Sequence, residues 1–231
     1  MTTALVLSAG GMWTAWEVGA WSVLREEVHP DLVVGASAGA WNGFAIAGGA
    51  SPDDLRREWM DPGMAQVFRD RPKRMYEKAQ ELYARYPSRA PFALTIVEVP
   101  SLRSRVVRER EITWRHLAAT GAIPCVFPPV KLDGRRYVDG GLRSGLPLWA
   151  AEELGATRAI ALNVLNTPGF RFLHRVAMVK HASAKLDVIR IEPSERLGTL
   201  WDAVAWDPKN VERWIALGER DALRAVSSVR M

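Results

Sequence analysis

Residues Val33–Gly39 read "VVGASAG". The β-branched pair suits a buried strand, and Ala38–Ala47 that follow are small enough for a helix packed close to a sheet. Between them Ser37 sits in Gly-x-Ser-x-Gly, at a strand-to-helix turn. That is the setting a nucleophile elbow needs, with little side-chain bulk around a strained turn and a helix N-terminus beside the hydroxyl. Upstream, Ala4–Ser8 is a short apolar strand that ends at Gly10-Gly11. Trp13–Glu27 then places Trp13, Trp16, Ala20, Val23 and Leu24 at helical spacing, and Leu32–Val34 begins the next strand. A βαβα order within about fifty residues predicts a parallel sheet covered by helices.

The alternation continues. Ser51-Pro52-Asp53-Asp54 is a helix start, with a serine cap, an early proline and two carboxylates near the positive end of the helix dipole. Lys73–Tyr86 is amphipathic, Phe92–Val99 and Arg105–Arg108 read as strands, and Thr113–Thr120 as a short helix. Gly121–Val130 is a proline-rich loop, and Arg136–Val138 a brief strand running into Asp139-Gly140-Gly141. Leu148–Leu154 is helical, while Arg158–Leu165 and Asp187–Ile191 ("DVIRI") are strands. Asp207-Pro208 caps a helix that runs to about Val226. The fold class is α/β, and without linker, repeat or low-complexity tract the 231 residues are expected to form a single domain.

Composition narrows the classes. Hydrophobic residues at 48% and charged residues at 25% are ordinary for a globular protein. From Leu32 to Pro52 no residue is charged, but the glycines, serines and asparagine there make it too weakly apolar for a membrane span. The first cationic side chain is Arg25, so the start lacks the basic region of a secretory signal, and a cytoplasmic protein is expected. A single cysteine, Cys125, excludes an intrachain disulfide and a cysteine zinc cluster. It reads as a small packed thiol. The net charge of +5 and a pI near 9.6 would favour anionic partners such as lipid head groups. No recognition motif accompanies the charge, so nucleic acid is not expected.

Chemistry then has to be sought in side chains. The Leu7–Trp16 stretch, "LSAGGMWTAW", carries glycines between a strand and a helix; the amides of Gly10, Gly11 and Met12 could receive an oxyanion. For the base that accepts the Ser37 proton, His29, His116, His174 and His181 are the usual residue type, and none adjoins a glycine turn. The order Ser37, Asp139, His174 suits a Ser–His–Asp triad. Asp139, at the end of a strand and followed by two glycines, is the competitor. Residues alone leave both open.

Taken together, the Gly10-Gly11 turn, the Ser37 pentapeptide and "AIPCVFPPVKLDGRRYVDGGL" at Ala122–Leu142 resemble the patatin-like phospholipase family. The similarity runs from about Leu5 to Leu165. It implies a three-layer α/β/α fold with a mostly parallel central sheet, lipid or fatty-acyl ester hydrolysis, and a Ser37–Asp139 dyad in place of a triad. No cofactor or metal is called for. Gly10 and Gly11 match the family's oxyanion glycines, and Ile123-Pro124 with Phe127-Pro128-Pro129 its active-site wall. The family's loop, Gly-Gly-Gly-x-Arg/Lys-Gly, reads here Ala9-Gly10-Gly11-Met12-Trp13-Thr14. Trp13 removes a cation and Thr14 limits backbone freedom. Cys125 stands where a glycine is usual.

Of the ten tryptophans most are expected to pack in the core, and the rest offer aromatic surface for an acyl groove or a lipid interface. Trp13, Trp16 and Trp41, with Ile123 and Phe127, are the expected substrate-binding residues. The compact chain between Ser37 and Asp139 leaves little for a cap, which favours an open cleft or one completed by a second copy. Partners expected are a lipid or acyl-ester substrate, an anionic membrane surface touched peripherally, and a homo-oligomer. Two competing readings stand beside the dyad. One is a Ser–His–Asp esterase using His174 or His181; the other is a binding or regulatory protein whose oxyanion turn is spoiled by Trp13 and Thr14.

Overall fold

The computed structural model describes residues 1–70, 72–166 and 186–229. The predicted His174 and His181 lie outside the described residues. Strand β1 (Thr3–Leu7) leads through a 3-10 turn at Gly11–Thr14 into α1 (Ala15–Leu24), and β2 (Leu32–Ala36) into α2 (Ser37–Ala47). Three helices follow, α3 (Pro52–Met60), α4 (Gly63–Val67) and α5 (Lys73–Arg85). The chain continues through β3 (Phe92–Val99), β4 (Arg103–Arg108), α6 (Trp114–Thr120), β5 (Val130–Leu132) and β6 (Arg135–Asp139). It ends with α7 (Leu148–Glu153), β7 (Arg158–Leu162), β8 (Asp187–Ile191) and α8 (Pro208–Val229).

The strands form one sheet in the order β5-β6-β3-β2-β1-β7-β8, with β4 also paired to β3. β3, β2, β1, β7 and β8 run parallel; β4 and β6 are antiparallel to β3, and β5 to β6. The expectation of a mixed α/β fold with a mostly parallel sheet is met. Side chains alternate across it as strand geometry requires. Leu5 and Leu7 face the larger core under α1, α2 and α8, whereas Ala4 and Val6 face a smaller one under α7. The uncharged Leu32–Pro52 stretch folds largely as β2 and α2 within this core. No helix among the described residues is long and apolar enough to cross a membrane.

The register around β3 fixes the geometry of the site. β2 pairs with the first half of β3, reaching Ala36↔Thr95. β6 pairs with the second half, ending at Asp139↔Ile96. Because β4 occupies the opposite edge over Ala93–Glu98, β2 and β6 share one edge and run toward each other along it. Their C-terminal ends abut between Thr95 and Ile96. β6 is returned by a two-residue hairpin, with Asp133 at φ 46° and Gly134 at φ 79°, as a type I′ turn demands. Neither β5 nor α4 stands out in the sequence, one being three residues long and the other five.

Most of the tryptophans pack in the core as expected, but so do Trp13 and Trp16, which corrects their expected place in an acyl groove. Trp13 and Trp16 are fully buried, and the Trp16 indole donates to Asp221 of α8 at 3.0 Å. Cys125 corrects a second expectation, since its thiol is exposed rather than packed. Its backbone adopts φ 66°, in the left-handed region that favours glycine. That accounts for the glycine usual at this place in similar sequences. Cys125→Gly is therefore expected to stabilise the fold by about 1 kcal/mol, seen as a higher urea midpoint at unchanged m value.

Candidate active site

Ser37 begins α2 directly after β2 and itself adopts φ 56°. Both glycines of its pentapeptide are required by close approach. A Cβ on Gly35 would lie 2.5 Å from Ala40 Cα, and one on Gly39 would lie 2.2 Å from the Ser8 carbonyl oxygen. The strained turn is held by Thr120, whose hydroxyl accepts from the Ser37 amide at 3.0 Å and donates to the Thr95 carbonyl at 2.9 Å. The Trp41 indole donates to the Leu117 carbonyl at 2.8 Å and fastens α2 to α6.

Across the strand junction the Ser37 hydroxyl donates to Asp139 Oδ2 at 2.6 Å. The second carboxylate oxygen accepts from the Gly141 amide at 2.7 Å, and the Asp139 amide donates to the Ala122 carbonyl at 3.0 Å. A Cβ on Gly140 would lie 2.3 Å from the Thr95 carbonyl oxygen, so only glycine lets the chain turn there against β3. Asp139 is buried, and burial pushes its pKa up to about 7, against the opposing hydrogen bonds from Ser37 and Gly141.

Neither described histidine bonds to this pair. His29 is exposed, and His116 Nδ1 accepts from the Thr113 amide at 3.1 Å to cap α6.

The Gly10-Gly11 turn faces the same place. The Gly11 amide, like that of Ala38 at the start of α2, donates to no protein group among the described residues, and both residues line the cavity at Ser37. The Gly10 amide likewise donates to no protein group among the described residues. The expected third donor does: the Met12 amide donates to the Ala203 carbonyl at 2.8 Å. Ala38 was missed in the sequence, although the amide following a nucleophile is the usual second donor at such an elbow. Thr14 closes the turn, its hydroxyl donating to the Gly11 carbonyl at 2.8 Å, and Trp13 points into the core. The two departures thus pack the turn from behind.

Behind the turn lies a buried network that the sequence did not announce. Glu17 on α1 accepts from the Ser8 hydroxyl at 3.2 Å and from Asn42 Nδ2 at 3.0 Å. Asn42 also donates to the Thr14 carbonyl at 2.9 Å and accepts from the Trp59 indole at 2.7 Å. Burial holds the Glu17 pKa well above the carboxylate range despite these bonds. One buried acid therefore joins the end of β1, the glycine turn and α2.

Beside Ser37 opens a small cavity that faces solvent on one side. Of the expected substrate-binding residues, Trp41, Ile123 and Phe127 line it; Trp13 does not, because its ring is consumed by the core. Trp59, Met64, Val67, Phe68 and Met75 complete an almost wholly apolar wall. These come from α3, α4, α5 and the segments between, whose polar faces gave no sign of it. Lys78 pins α5 to α3 through Glu58 at 2.8 Å and to Asp61 at 3.0 Å.

An α/β sheet with an elbow serine, a buried carboxylate and an apolar cavity has counterparts among known proteins. Residues 5–107 and 100–152 match the model of the patatin-like phospholipase family, and the chain belongs to that family. It is a lipid-hydrolysing enzyme. Among solved structures, VipD from Legionella pneumophila aligns over 98% of this chain and 67% of its own, with TM-score 0.54 and 12% identity. The type III effector protein ExoU aligns over 100% of this chain and 53% of its own, with TM-score 0.46 and 10% identity. At such identity the VipD likeness concerns the fold.

The raised Asp139 pKa has a signed consequence for stability. Between the unfolded value of about 3.9 and the folded value of about 7, the folded chain holds a proton that the unfolded chain has lost. Stability should therefore fall as pH rises through this window and level off above it. Asp139→Asn removes that contribution. The variant is expected to lose less stability than wild type between pH 5 and pH 8, measured by urea denaturation at each pH.

Proposed function

We propose that this protein hydrolyses lipid acyl esters through an acyl-enzyme, with Ser37 as nucleophile and Asp139 as general base. The observation that carries the reading is the 2.6 Å hydrogen bond from the Ser37 hydroxyl to a buried Asp139 carboxylate. Asp139 takes the hydroxyl proton as Ser37 Oγ attacks the ester carbonyl. The oxyanion that forms is received by the amides of Gly10, Gly11 and Ala38, and Asp139 returns the proton to the departing alcohol. A water, deprotonated by the same carboxylate, then releases the fatty acid and restores Ser37.

An ordinary aspartate is a feeble base for an alcohol. With a pKa near 7 it combines an ionised fraction at neutral pH with greater basicity, the compromise that favours general-base catalysis. The apolar wall of Trp41, Trp59, Met64, Phe68 and Phe127 suits an acyl chain and offers a polar head group nothing to bind. The head group would remain at the solvent side, which fits a substrate presented by a membrane to a single cytoplasmic domain.

Asp139→Asn is expected to lower kcat/KM on a short-chain p-nitrophenyl ester by about 10²–10⁴-fold. Ser37→Ala should abolish both turnover and labelling by a fluorophosphonate probe. For wild type, kcat/KM should rise with pH to a plateau above about 7, following ionisation of Asp139. Replacing His174 and His181 by alanine should leave turnover intact; loss of turnover in either would substitute a triad for the dyad. A folded wild type that the probe leaves unlabelled would instead favour the binding-protein reading.

A further inference from the structure

The segment between β8 and α8 presents an apolar apex where few other residues of this chain do. Leu200 is 52% exposed and Trp201 74% exposed, the only adjacent pair of exposed large hydrophobic residues among the described ones. Leaving an indole in water forfeits the burial that a loop could otherwise provide.

The apex is nevertheless built to stay outside. The Thr199 amide and hydroxyl each donate to Asp202 Oδ2 at 2.7 Å, and the Asp202 amide donates back to the Thr199 carbonyl at 3.0 Å. The Val204 amide donates to the Trp201 carbonyl at 3.0 Å. A turn bonded on both sides of the pair fixes the direction in which it projects.

The base of the same turn rests on the site. The Ala203 carbonyl accepts from the Met12 amide, and a Cβ on Gly11 would lie 2.1 Å from that carbonyl oxygen. Three residues on, the Trp206 indole donates to the Trp59 carbonyl at 2.8 Å. Gly11, Met12 and Trp59 all line the cavity beside Ser37. Chain geometry keeps the Trp201 Cα within about 7 Å of the Ala203 Cα.

Much of the charge around the apex is paired. Glu195 is paired with Arg220 at 2.6 Å, and Glu212 with Arg56 at 2.7 Å. Arg196 has no ion-pair partner among the described residues; Arg213 is anchored to the Leu197 carbonyl at 2.8 Å, and its charge, after the Thr199 hydrogen bonds, helps to hold the Asp202 carboxyl below its usual range. The chain as a whole carries +5.

We propose that Leu200 and Trp201 form an interfacial anchor that inserts into an anionic lipid bilayer surface, with Arg196 set against the head-group phosphates. Indole rings favour the head-group level of a membrane, and cationic side chains beside them add attraction to anionic lipid. The anchor deepens the acyl-hydrolase reading, on which it rests for its choice of partner, by placing the cavity beside Ser37 at the lipid surface.

The test uses the Ser37→Ala chain, which leaves the lipid intact, in co-sedimentation with phosphatidylcholine vesicles containing phosphatidylglycerol. Adding Leu200→Ser and Trp201→Ser should weaken binding about tenfold or more, because such binding scales with buried apolar area. Omitting the anionic lipid should weaken it too. With Ser37 present, the Leu200→Ser/Trp201→Ser enzyme should keep wild-type turnover of a soluble short-chain ester while losing turnover of vesicle lipid. Equal vesicle binding with and without the pair would overturn the proposal. So would a dimer in light scattering that the two serines convert to monomer, since the pair would then be a contact between copies. If soluble-ester turnover were absent from wild type while binding still depended on the pair, the anchor would stand and the hydrolase reading would fall.

Discussion

The site depends on the collision of two strands. β2 and β6 occupy the same edge of β3 and run at one another until their C-terminal ends meet between Thr95 and Ile96. Ser37 leaves one end and Asp139 forms the other. Their separation is thus set by hydrogen-bond register in the sheet, which changes only in whole residues and reverses every side chain when it slips by one.

Holding the two groups in this position carries costs that the surroundings absorb. Ser37 takes a left-handed backbone, and Asp139 is a buried carboxyl with no ion-pair partner among the described residues. Thr120 bridges the strained amide to β3, and the glycines of both motifs let main chains touch where any side chain would intervene. Glu17 and Asn42 extend the bracing to the glycine turn and to the cavity wall at Trp59. Strain and an unpaired buried acid concentrated at one spot are the expected mark of a functional site.

Much of this was legible in the sequence because it depends on local chemistry. The strand-serine-helix pattern at Val33–Ala47 and the Asp-Gly-Gly ending of β6 both record backbone constraints that only certain residues meet. What escaped reading is decided by partners distant along the chain. Trp13 and Trp16 look suited to a groove, yet both are buried, Trp16 by α8 from more than two hundred residues away, as the 205-residue separation of Trp16 and Asp221 shows. The Met12 amide looks free until Ala203 claims it. The apolar walls from α3, α4 and α5 belong to helices whose charged faces dominate their sequences. Cys125 betrayed itself only through a backbone angle.

The separation of Ser37 and Asp139 by 102 residues also has a consequence in time. During synthesis the serine leaves the ribosome long before its partner, and an elbow formed early from β1, β2 and α2 would present a hydroxyl with nothing to accept its proton. The acceptor arrives only after β3 has paired on both edges and the β5–β6 hairpin has closed. On the proposed dyad, hydrolytic capacity would be withheld from the chain until β6 has docked on β3.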